Sequence, residues 1–425
     1  MSRPWIGQLG GDRRAAAVSR ADAEARDRAD RLAPFRDRFV IEDEQTIYAD
    51  GNSLGRLPKR TRERIAEVVD EWGSRLVTAW PDWIELPERV GDLLAGVLGA
   101  RDGEVLVCDS TTVNLYKLAA AVREANAGAL VTDAANFPTD RYVLEGVGEL
   151  VLFESDPIDG PTAADVERAC AEREVALVCL SQVAYRSGAL ADVQAITEVA
   201  HAAGALVLWD LSHSAGVVPA ELEANGVDLA VGCTYKYLNA GPGSPAFLYV
   251  RRDLQDELRS PIWGWLGQRE QFAMGPSYDP VDGIGRFLAG TPPIAGLVAV
   301  EAGAELVAEA GVEAIRAKSV ALTELVVELL DERLVPLGFE LGSPREPERR
   351  GSHVSVRHAD GWRICRALIE RAGVVPDFRA PDSIRLGLPP LYTRFVDAWD
   401  AVDRLARLVE SGEHELVAAA PARVT

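Results

Sequence analysis

Two residues near the middle of the chain carry side chains that together could hold an aldehyde cofactor. Asp210 ends the apolar run ALVLWD, and Lys236 follows the run LAVGC within GCTYKYLNAGPG. A lysine amine can form a Schiff base with an aldehyde, and a carboxylate can keep a pyridine nitrogen protonated so that the ring withdraws electrons. The pair therefore predicts a site for pyridoxal 5'-phosphate (PLP).

Lysine is scarce in this chain, so the candidates for this role can be compared. Lys59, Lys117, Lys236 and Lys318 are the four lysines among 45 lysine and arginine residues. Three of them lie in helix-like patterns, and we expect these to face solvent. Lys236 lies among Tyr, Cys, Gly and Pro, which is the context of a site. Taken singly, a lysine near a strand end is more often a surface charge, and an Asp there is often a helix N-cap.

The elements that must position these residues alternate along the chain. After the loop YADGNSLGRLP (48–58), stretches of helical spacing such as VNLYKLAAAVREA and ADVQAITEVAHAAG alternate with short β-rich runs. The runs are EVLVCDS, GALVTDAA, LVLFES, VALVCLSQV, GALVLWDLS, VDLAVGC and PAFLYV. This alternation predicts an α/β fold with a mostly parallel central sheet and helices on both faces. Asp210 and Lys236 would then meet at the edge where such sheets bind ligands.

The last third of the chain predicts a smaller α+β domain. Residues 260–300 include PIWGWLGQ and FLAGTPPI, a Trp/Gly/Pro-rich stretch too irregular for a core element and suited to binding or to an interface. A long helix is expected from Pro293 to about Leu334 with a break near Gly311. SHVSVRH, the helix DGWRICRALIERAG, SIRLGL and a final helix follow.

These patterns divide the chain into three parts. A helical opening (14–33) belongs to an N-terminal segment, residues 1–58, that packs with the small domain. Residues 59–300 form the large cofactor-binding domain and residues 301–425 the small C-terminal domain. At 425 residues with 48% hydrophobic side chains, the chain is long enough for two cores.

Composition argues against several function classes. A net charge of −21 opposes binding to nucleic acid or to an anionic membrane. No run approaches the roughly 18 apolar residues of a membrane helix, and MSRPWIGQLGGDRRAAA lacks the apolar core of a signal peptide, so we expect a cytoplasmic protein. The five cysteines form no CxxC pair and no ligand-like cluster with the five histidines, which favours buried small hydrophobes over a metal or redox site.

Eight segments resemble the kynureninases and occur in the order of that family across nearly the whole chain. They are GNSLG (51–55), NFPTD (136–140), DLSHSAG (210–216), CTYKYLNAGPG (233–243), GWLG (264–267), GTPP (290–293), DFR (377–379) and IRLGLPPLYTRF (384–395). The resemblance implies a PLP enzyme of fold type I that hydrolyses the Cβ–Cγ bond of L-kynurenine to anthranilate and L-alanine. Its product could serve tryptophan catabolism, NAD biosynthesis or secondary metabolism.

The resemblance also implies roles for residues around the cofactor ring. Lys236 is the Schiff-base lysine, Asp210 the partner of the pyridine nitrogen and Asp140 a second carboxylate near it. Phe137 stacks on the ring, which offset aromatic packing allows without polar contacts. Without the family, NFPTD would be a strand-to-helix turn with Asp140 as a cap.

The cofactor phosphate needs hydrogen-bond donors. Thr111 and Thr112 stand where EVLVC gives way to a helix, and helix N-termini bind anions, although the two threonines would equally suit a simple N-cap. The resemblance adds contacts to the cofactor at Ser181, His213 and Tyr235. It brings Trp265 and Thr291 to the phosphate from a second subunit, which implies a homodimer with shared active sites.

The substrate carboxylate calls for a bidentate arginine. By resemblance this is Arg385, although from the residues alone a surface arginine on an edge strand fits as well. Asn52 and Ser53 of the GNSLG loop would close on the substrate from the other side. With Trp80 where animal members have a histidine, the pattern favours kynurenine over 3-hydroxykynurenine and leaves ring-substituted analogues open. Tyr235 is a candidate proton donor and acceptor, or it holds only the phosphate.

Other assignments have specific requirements. A cysteine desulfurase or an aminotransferase would share the fold, but a desulfurase needs a mobile loop thiol, and Cys365 lies in the helical WRICRALIERAG. A non-catalytic PLP-binding protein would be expected to have lost the lysine, the tyrosine or the arginine. Lys236, Tyr235 and Arg385 are all present.

Overall fold

The computed structural model describes residues 18–418 as an α/β protein with two sheets of different size and a two-stranded pair. The strands are β1 (Ile47–Tyr48), β2 (Val105–Cys108), β3 (Ala129–Asp133), β4 (Leu150–Phe153), β5 (Val175–Ser181), β6 (Leu206–Asp210), β7 (Leu229–Gly232), β8 (Ala246–Val250), β9 (Glu340–Leu341), β10 (His353–Arg357), β11 (Val374–Val375), β12 (Asp377–Arg379) and β13 (Ser383–Gly387). The helices are α1 (Arg20–Ala29), α2 (Lys59–Arg75), α3 (Trp80–Trp83), α4 (Leu86–Leu98), α5 (Thr111–Ala125), α6 (Pro138–Val147), α7 (Ala163–Cys170), α8 (Val193–Ala202), α9 (Ile294–Ala310), α10 (Val312–Leu329), α11 (Gly361–Ala367) and α12 (Phe395–Glu410).

The large sheet has seven strands in the order β2-β8-β7-β6-β5-β3-β4. β8 is antiparallel to both of its neighbours, and the remaining pairs are parallel. All seven predicted strands form this sheet, so the predicted α/β class is confirmed. Alternate residues of the strands face two cores: Val107, Val131 and Val178 lie in one, and Leu106 and Leu130 in the other. Burial on both faces explains the nearly continuous apolar runs.

The small sheet is antiparallel, in the order β12-β13-β10-β9, and α10, α11 and α12 pack with it around a separate core. The N-terminal residues Ala23 and Ile47 also lie in this core. Helix α1 packs on α12, and the Asp27 carboxylate accepts hydrogen bonds from the backbone N–H groups of Phe395 (2.6 Å) and Val396 (3.0 Å). It thereby satisfies two of the free N–H groups at the start of α12. The division at 58 and 300 stays a prediction, and residue 300 itself lies inside α9.

Two expectations need correction or completion. The Trp/Gly/Pro-rich segment has irregular backbone, but Leu266, Ile284 and Phe287 are buried in the core beneath α5, so describing it as unfit for a core element was wrong. The helical opening predicted for 14–33 is α1, capped by Ser19, while residues 14–17 lie outside the described residues. The predicted helix break is confirmed: α9 and α10 meet at Gly311, whose φ is 79°. No helix among residues 18–418 is long and apolar enough to cross a membrane.

Candidate active site

Lys236 and Asp210 lie at one edge of the large sheet. Asp210 ends β6, and Lys236 follows β7, its parallel neighbour. The Lys236 Nζ lies 2.9 Å from Nε2 of His213, and because an ammonium group has no acceptor, the imidazole nitrogen accepts this bond. Burial, together with the charges of Lys236 and Arg385, holds the pKa of His213 well below its usual value. The Lys236 amine is therefore hydrogen-bonded to a neutral imidazole.

A second buried carboxylate lies beside Asp210. Asp140 is in the first turn of α6 but makes no capping hydrogen bond, so its alternative interpretation as a cap is wrong. Burial and the charge of Asp210 raise the pKa of Asp140 well above its usual value, and Lys236 offsets this only in part. Asp140 Oδ2 is buried without a partner among the described residues. The position of Asp140 beside Asp210 thus favours its protonated form.

Residues at the ends of β3 and β5 line the same edge. Ser181 Oγ donates to Asn136 Oδ1 at 2.7 Å, and Asn136 Nδ2 donates to Thr132 Oγ1 at 3.1 Å. Phe137 stays 38% exposed and meets Tyr185 edge to face at 5.2 Å. Sequence reasoning missed Asn136, although its position in NFPTD was a signal. A cleft of about 510 Å³ lined by Asn136, Ser181 and Tyr185, but not by Lys236, opens beside this group.

The candidate phosphate site is the turn from β2 into α5. Asp109 has φ 46°, and Ser110, not a threonine, is the N-cap, accepting from the Val113 N–H at 3.4 Å. The interpretation of Thr111 and Thr112 as caps is therefore wrong. They are the first two residues of the helix, where backbone N–H groups lack helical partners.

Trp265 and Thr291 lie in the irregular segment. Thr291 is exposed and lines a small cavity with Cys108 and Asp109 of its own chain, and Trp265 is half-buried in a 3-10 turn. Their assigned contact with the phosphate of a second subunit stays a prediction. Trp80 lies in an apolar surface groove with Trp72, Leu76, Val77 and Trp83. Within residues 18–418, no hydrogen bond or ring contact joins Trp80 to the residues around Lys236.

Tyr235 precedes the lysine and is partly buried. The neighbouring Cys233 thiol, burial and the charge of Asp210 raise its pKa above the usual value, so the phenol stays protonated near neutral pH. Its backbone carbonyl accepts from the Gly55 N–H at 2.7 Å. A Cβ at Gly55 would lie 2.3 Å from the Lys236 carbonyl oxygen, so only glycine allows the GNSLG loop to pack against the lysine loop.

Arg385 lies on β13, between β12 and β10, and is 1% exposed, so its interpretation as a surface arginine on an edge strand is wrong. Asp377 holds its guanidinium in a bidentate ion pair, with Nε donating to Oδ1 at 2.7 Å and Nη2 to Oδ2. Nη1 donates to the Tyr185 carbonyl, and Nη2 also to Ser53 Oγ at 3.1 Å. Sequence reasoning gave Asp377 no role, although it begins the DFR segment.

The GNSLG loop lies against this arginine. Asn52 is fully buried, and both polar atoms of its amide lack partners among the described residues. A Cβ at Gly387 would lie 1.8 Å from Asn52 Oδ1, so the glycine admits the asparagine. Asn52 and Ser53 therefore lie beside Arg385, and their assigned contact with the substrate stays a prediction.

The expectation that the other three lysines face solvent is wrong for two of them. Lys59 is exposed, but Lys117 is fully buried, with Nζ donating to the Asp109 carboxylate and, at 2.7 Å, to the Phe287 carbonyl. Lys318 is buried in an ion pair with Asp30 at 2.7 Å. What distinguishes Lys236 is its partner, a neutral imidazole. Among residues 18–418 there is no cluster of three or more metal-ligating side chains.

Solved structures of other proteins share this fold. A cysteine desulfurase from Thermococcus onnurineus superposes with a TM-score of 0.76 at 19% identity, covering 86% of this chain and 95% of that one. An alanine–glyoxylate aminotransferase from Nostoc superposes with a TM-score of 0.69 at 18% identity, covering 87% and 96%. At this identity the likeness shows the fold alone, which is the predicted fold type I of PLP enzymes.

Closer relatives come from sequence comparison. Residues 315–405 match the family model of the kynureninase C-terminal domain. A kynureninase from Pseudomonas fluorescens is 43% identical over 409 residues, which is 92% of this chain and 96% of that protein. A kynureninase from Burkholderia pseudomallei has the same identity and coverage. The chain therefore belongs to the kynureninase family.

Proposed function

We propose that this protein is a kynureninase that uses PLP to hydrolyse L-kynurenine to anthranilate and L-alanine. The observation that carries the proposal is the meeting of Lys236, His213 and the Asp140–Asp210 pair at one sheet edge of a chain 43% identical to kynureninases. Arg385 and the GNSLG loop, positioned by the small sheet, face the same region. The arrangement suits an α-amino acid whose carboxylate and reacting carbon are held by different parts of the chain.

The residues at this edge fit PLP. Asp140 Oδ2 and His213 Nδ1 are buried polar atoms without partners among the described residues, and the start of α5 offers backbone N–H groups to a phosphate. Asp210 would face the pyridine nitrogen, and the exposed face of Phe137 would pack on the ring. When bound, the cofactor supplies an electron sink for bonds at the substrate α-carbon.

Lys236, His213 and Tyr235 have different roles in the proposed proton transfers. The Lys236 amine would hold the cofactor through its aldehyde and would act as the base for the substrate α-proton. His213, neutral and a hydrogen-bond acceptor, leaves that amine free to lose its proton. Tyr235 keeps its proton near neutral pH and can donate to the γ-carbonyl oxygen while water adds there, or it holds the phosphate.

The substrate carboxylate is assigned to Arg385, with Asn52 and Ser53 of the GNSLG loop beside it. The guanidinium is pre-oriented by Asp377, which lowers the entropy lost when the carboxylate binds. Sulfur transfer is disfavoured because all five cysteines are buried. Loss of function is disfavoured because Lys236, Tyr235 and Arg385 are all in place.

The enzyme is further proposed to be a cytoplasmic homodimer with shared sites, in which Trp265 and Thr291 complete the partner's phosphate site. Lys236→Ala subunits mixed with Thr291→Ala subunits, once exchange is demonstrated, should regain about a quarter of the wild-type activity, because each mixed dimer holds one intact site. Full activity of the wild-type protein as a monomer at high dilution would rule out sharing.

The central test is hydrolysis itself. Purified enzyme loaded with PLP should release anthranilate from L-kynurenine, followed by anthranilate fluorescence, with Lys236→Ala as the inactive control. Comparing kcat/KM for kynurenine, 3-hydroxykynurenine and ring-halogenated kynurenines sets the ring preference, which we propose lies with kynurenine. Failure to release anthranilate from L-kynurenine, and the correspondingly substituted anthranilates from its analogues, would refute the proposal.

A further inference from the structure

A group of four charged side chains surrounds the proposed carboxylate site at the small sheet. It comprises Asp377 and Arg379 of β12, Arg385 of β13 and Asp50, which follows β1. Asp377 accepts from Arg385 Nε and Arg379 Nη2, each at 2.7 Å, and from Ser53 Oγ at 3.1 Å. The Asp377 carboxylate thus accepts hydrogen bonds from both guanidinium groups.

Asp50 is left without a guanidinium donor. Its backbone bridges to Gly387, and its carbonyl accepts from the Ser53 and Leu54 N–H groups, so the residue is fixed in place. Its Oδ1 is buried without a partner among the described residues. A buried carboxyl next to an ionised one, with few donors, is more stable when protonated.

The electrostatics of the cluster agree with this geometry. Burial first, and then the charge of Asp377, raise the pKa of Asp50 to about 7, while Ser53, Arg385 and Arg379 oppose the shift in part. The pKa of Asp377 is lowered because Arg385 and Arg379 outweigh its burial. Burial raises the pKa values of the other acidic groups that face this cluster, which are Tyr48, Tyr237 and Cys365. Burial and the charge of Arg385 lower the pKa values of His353 and His213, so all five groups stay neutral near pH 7.

The charge of the cluster therefore depends on one proton. With Asp50 protonated, two guanidiniums face one carboxylate, and the net positive charge favours an incoming carboxylate. With Asp50 ionised, the cluster carries no net charge and attracts an incoming carboxylate less strongly. Asp377 and Arg385 are buried and Asp50 and Arg379 are partly buried, so solvent screens this difference only in part.

We propose that Asp50 is a specificity residue for the substrate carboxylate: its neutral form leaves the Arg385 group positively charged, and its ionisation weakens anion binding. The inference rests on the proposed function, which assigns Arg385 to that carboxylate. Affinity for an anionic ligand should be constant below about pH 7 and fall by up to tenfold per pH unit above it, since one proton is linked to binding.

The test uses two probes that lack the substrate amino group, so that no ligand group titrates between pH 6 and 9. These are 3-benzoylpropanoate and its uncharged amide, titrated calorimetrically into the PLP-loaded wild-type enzyme and into Asp50→Asn. We expect the predicted pH dependence for wild type with the carboxylate only, and pH-independent binding of both probes by Asp50→Asn, whose amide mimics the protonated acid. Equal pH dependence for the two probes, or an unchanged dependence in Asp50→Asn, would overturn the inference.

Two features of the experiment distinguish failure of the inference about Asp50 from misfolding of the variant and from failure of the proposed function. The contrast between carboxylate and amide is measured on the wild-type protein, so it decides the matter even if Asp50→Asn folds poorly. Kynurenine hydrolysis is assayed in parallel at pH 6. Its absence counts against the proposed function, whereas normal hydrolysis with pH-independent carboxylate binding counts against Asp50 alone.

Discussion

Each end of the candidate site places one cationic side chain near two carboxylates, but the hydrogen-bond partner of the cation differs between the two ends. At the large sheet, Lys236 lies near two buried carboxylates, of which Asp140 has a raised pKa. At the small sheet, Arg385 also lies near two carboxylates, of which Asp50 has a raised pKa. Yet Arg385 is held by a bidentate ion pair, whereas the lysine amine bonds to a neutral imidazole.

The difference fits the roles proposed for the two cations. A base or nucleophile has to lose its proton and move, and a direct carboxylate bond would stabilise the charged, stationary form. A guanidinium does not lose its proton in a protein, so an ion pair that fixes its position does not reduce its reactivity. The fixed group is also better oriented to bind a planar anion. The kind of partner thus separates a reactive cation from a binding one.

The strongest test of this comparison is removal of the reactive cation. Lys236→Ala should lower kcat by about 10⁴-fold or more, because the covalent anchor and the α-proton base are lost together. Borohydride reduction of the holoenzyme followed by peptide mapping should place the cofactor on Lys236, and Lys59→Ala is the matched exposed control. Labelling at Lys59, Lys117 or Lys318 would contradict the assignment.

The two carboxylates at the large sheet should respond unequally. Asp210→Asn replaces the carboxylate that is proposed to face the pyridine nitrogen and should lower kcat by about 10²–10³-fold. Asp140→Asn replaces a group whose raised pKa favours its neutral form, so we expect a loss below about tenfold. Steady-state kinetics on both variants decide this, and equal losses would show that the proton is not held mainly by Asp140.

Loss of the binding cation should affect catalysis but not cofactor binding. Two charge-assisted hydrogen bonds contribute roughly 1.5–3 kcal/mol each, so Arg385→Lys should lower kcat/KM by at least about 10²-fold, because an ammonium cannot reproduce the fork. Arg357→Lys on the neighbouring strand β10 is the control, since Arg357 is 40% exposed and pairs with Asp382. The visible absorption of bound PLP should be unchanged. Near-normal turnover would return Arg385 to a purely structural role.

The smallest effect on catalysis is expected at a buried lysine that has only a structural partner. Lys318→Met leaves Asp30 buried without its cation and should lower the free energy of unfolding by about 3–5 kcal/mol, with kcat unchanged. Denaturant unfolding measures this, and the double variant Lys318→Met/Asp30→Leu should recover most of the loss. A fall in kcat with intact stability would mean that Lys318 acts on the site.

Sequence alone predicted the elements whose signal is local. Six of the seven large-sheet strands read as apolar runs because they are buried on both faces, whereas the edge strand β4 is only partly buried. The break at Gly311 was visible as a glycine inside a helical pattern. Lys236 and Asp210 could be placed because both follow strands that pair in parallel.

What the sequence could not provide depends on long-range contacts. The burial of Lys117 and Lys318 results from partners supplied by other elements, and solvent exposure was the wrong default for both. The ion pair of Arg385 joins two strands whose pairing no local pattern encodes. Asp50 directly precedes the GNSLG segment. Its lack of a guanidinium donor depends on how folding places Arg379 and Arg385 against Asp377.

The bond between Asp27 and the start of α12 has a consequence for synthesis. The donor at Phe395 lies 368 residues after its acceptor. At roughly 5–20 residues per second, a ribosome takes about 20–70 s to cover that distance. During this time α1 has left the ribosome but α12 has not yet been synthesised. The face of α1 that packs on α12 therefore stays in solvent while the large sheet forms. The small core therefore closes last, when the end of the chain returns to its beginning.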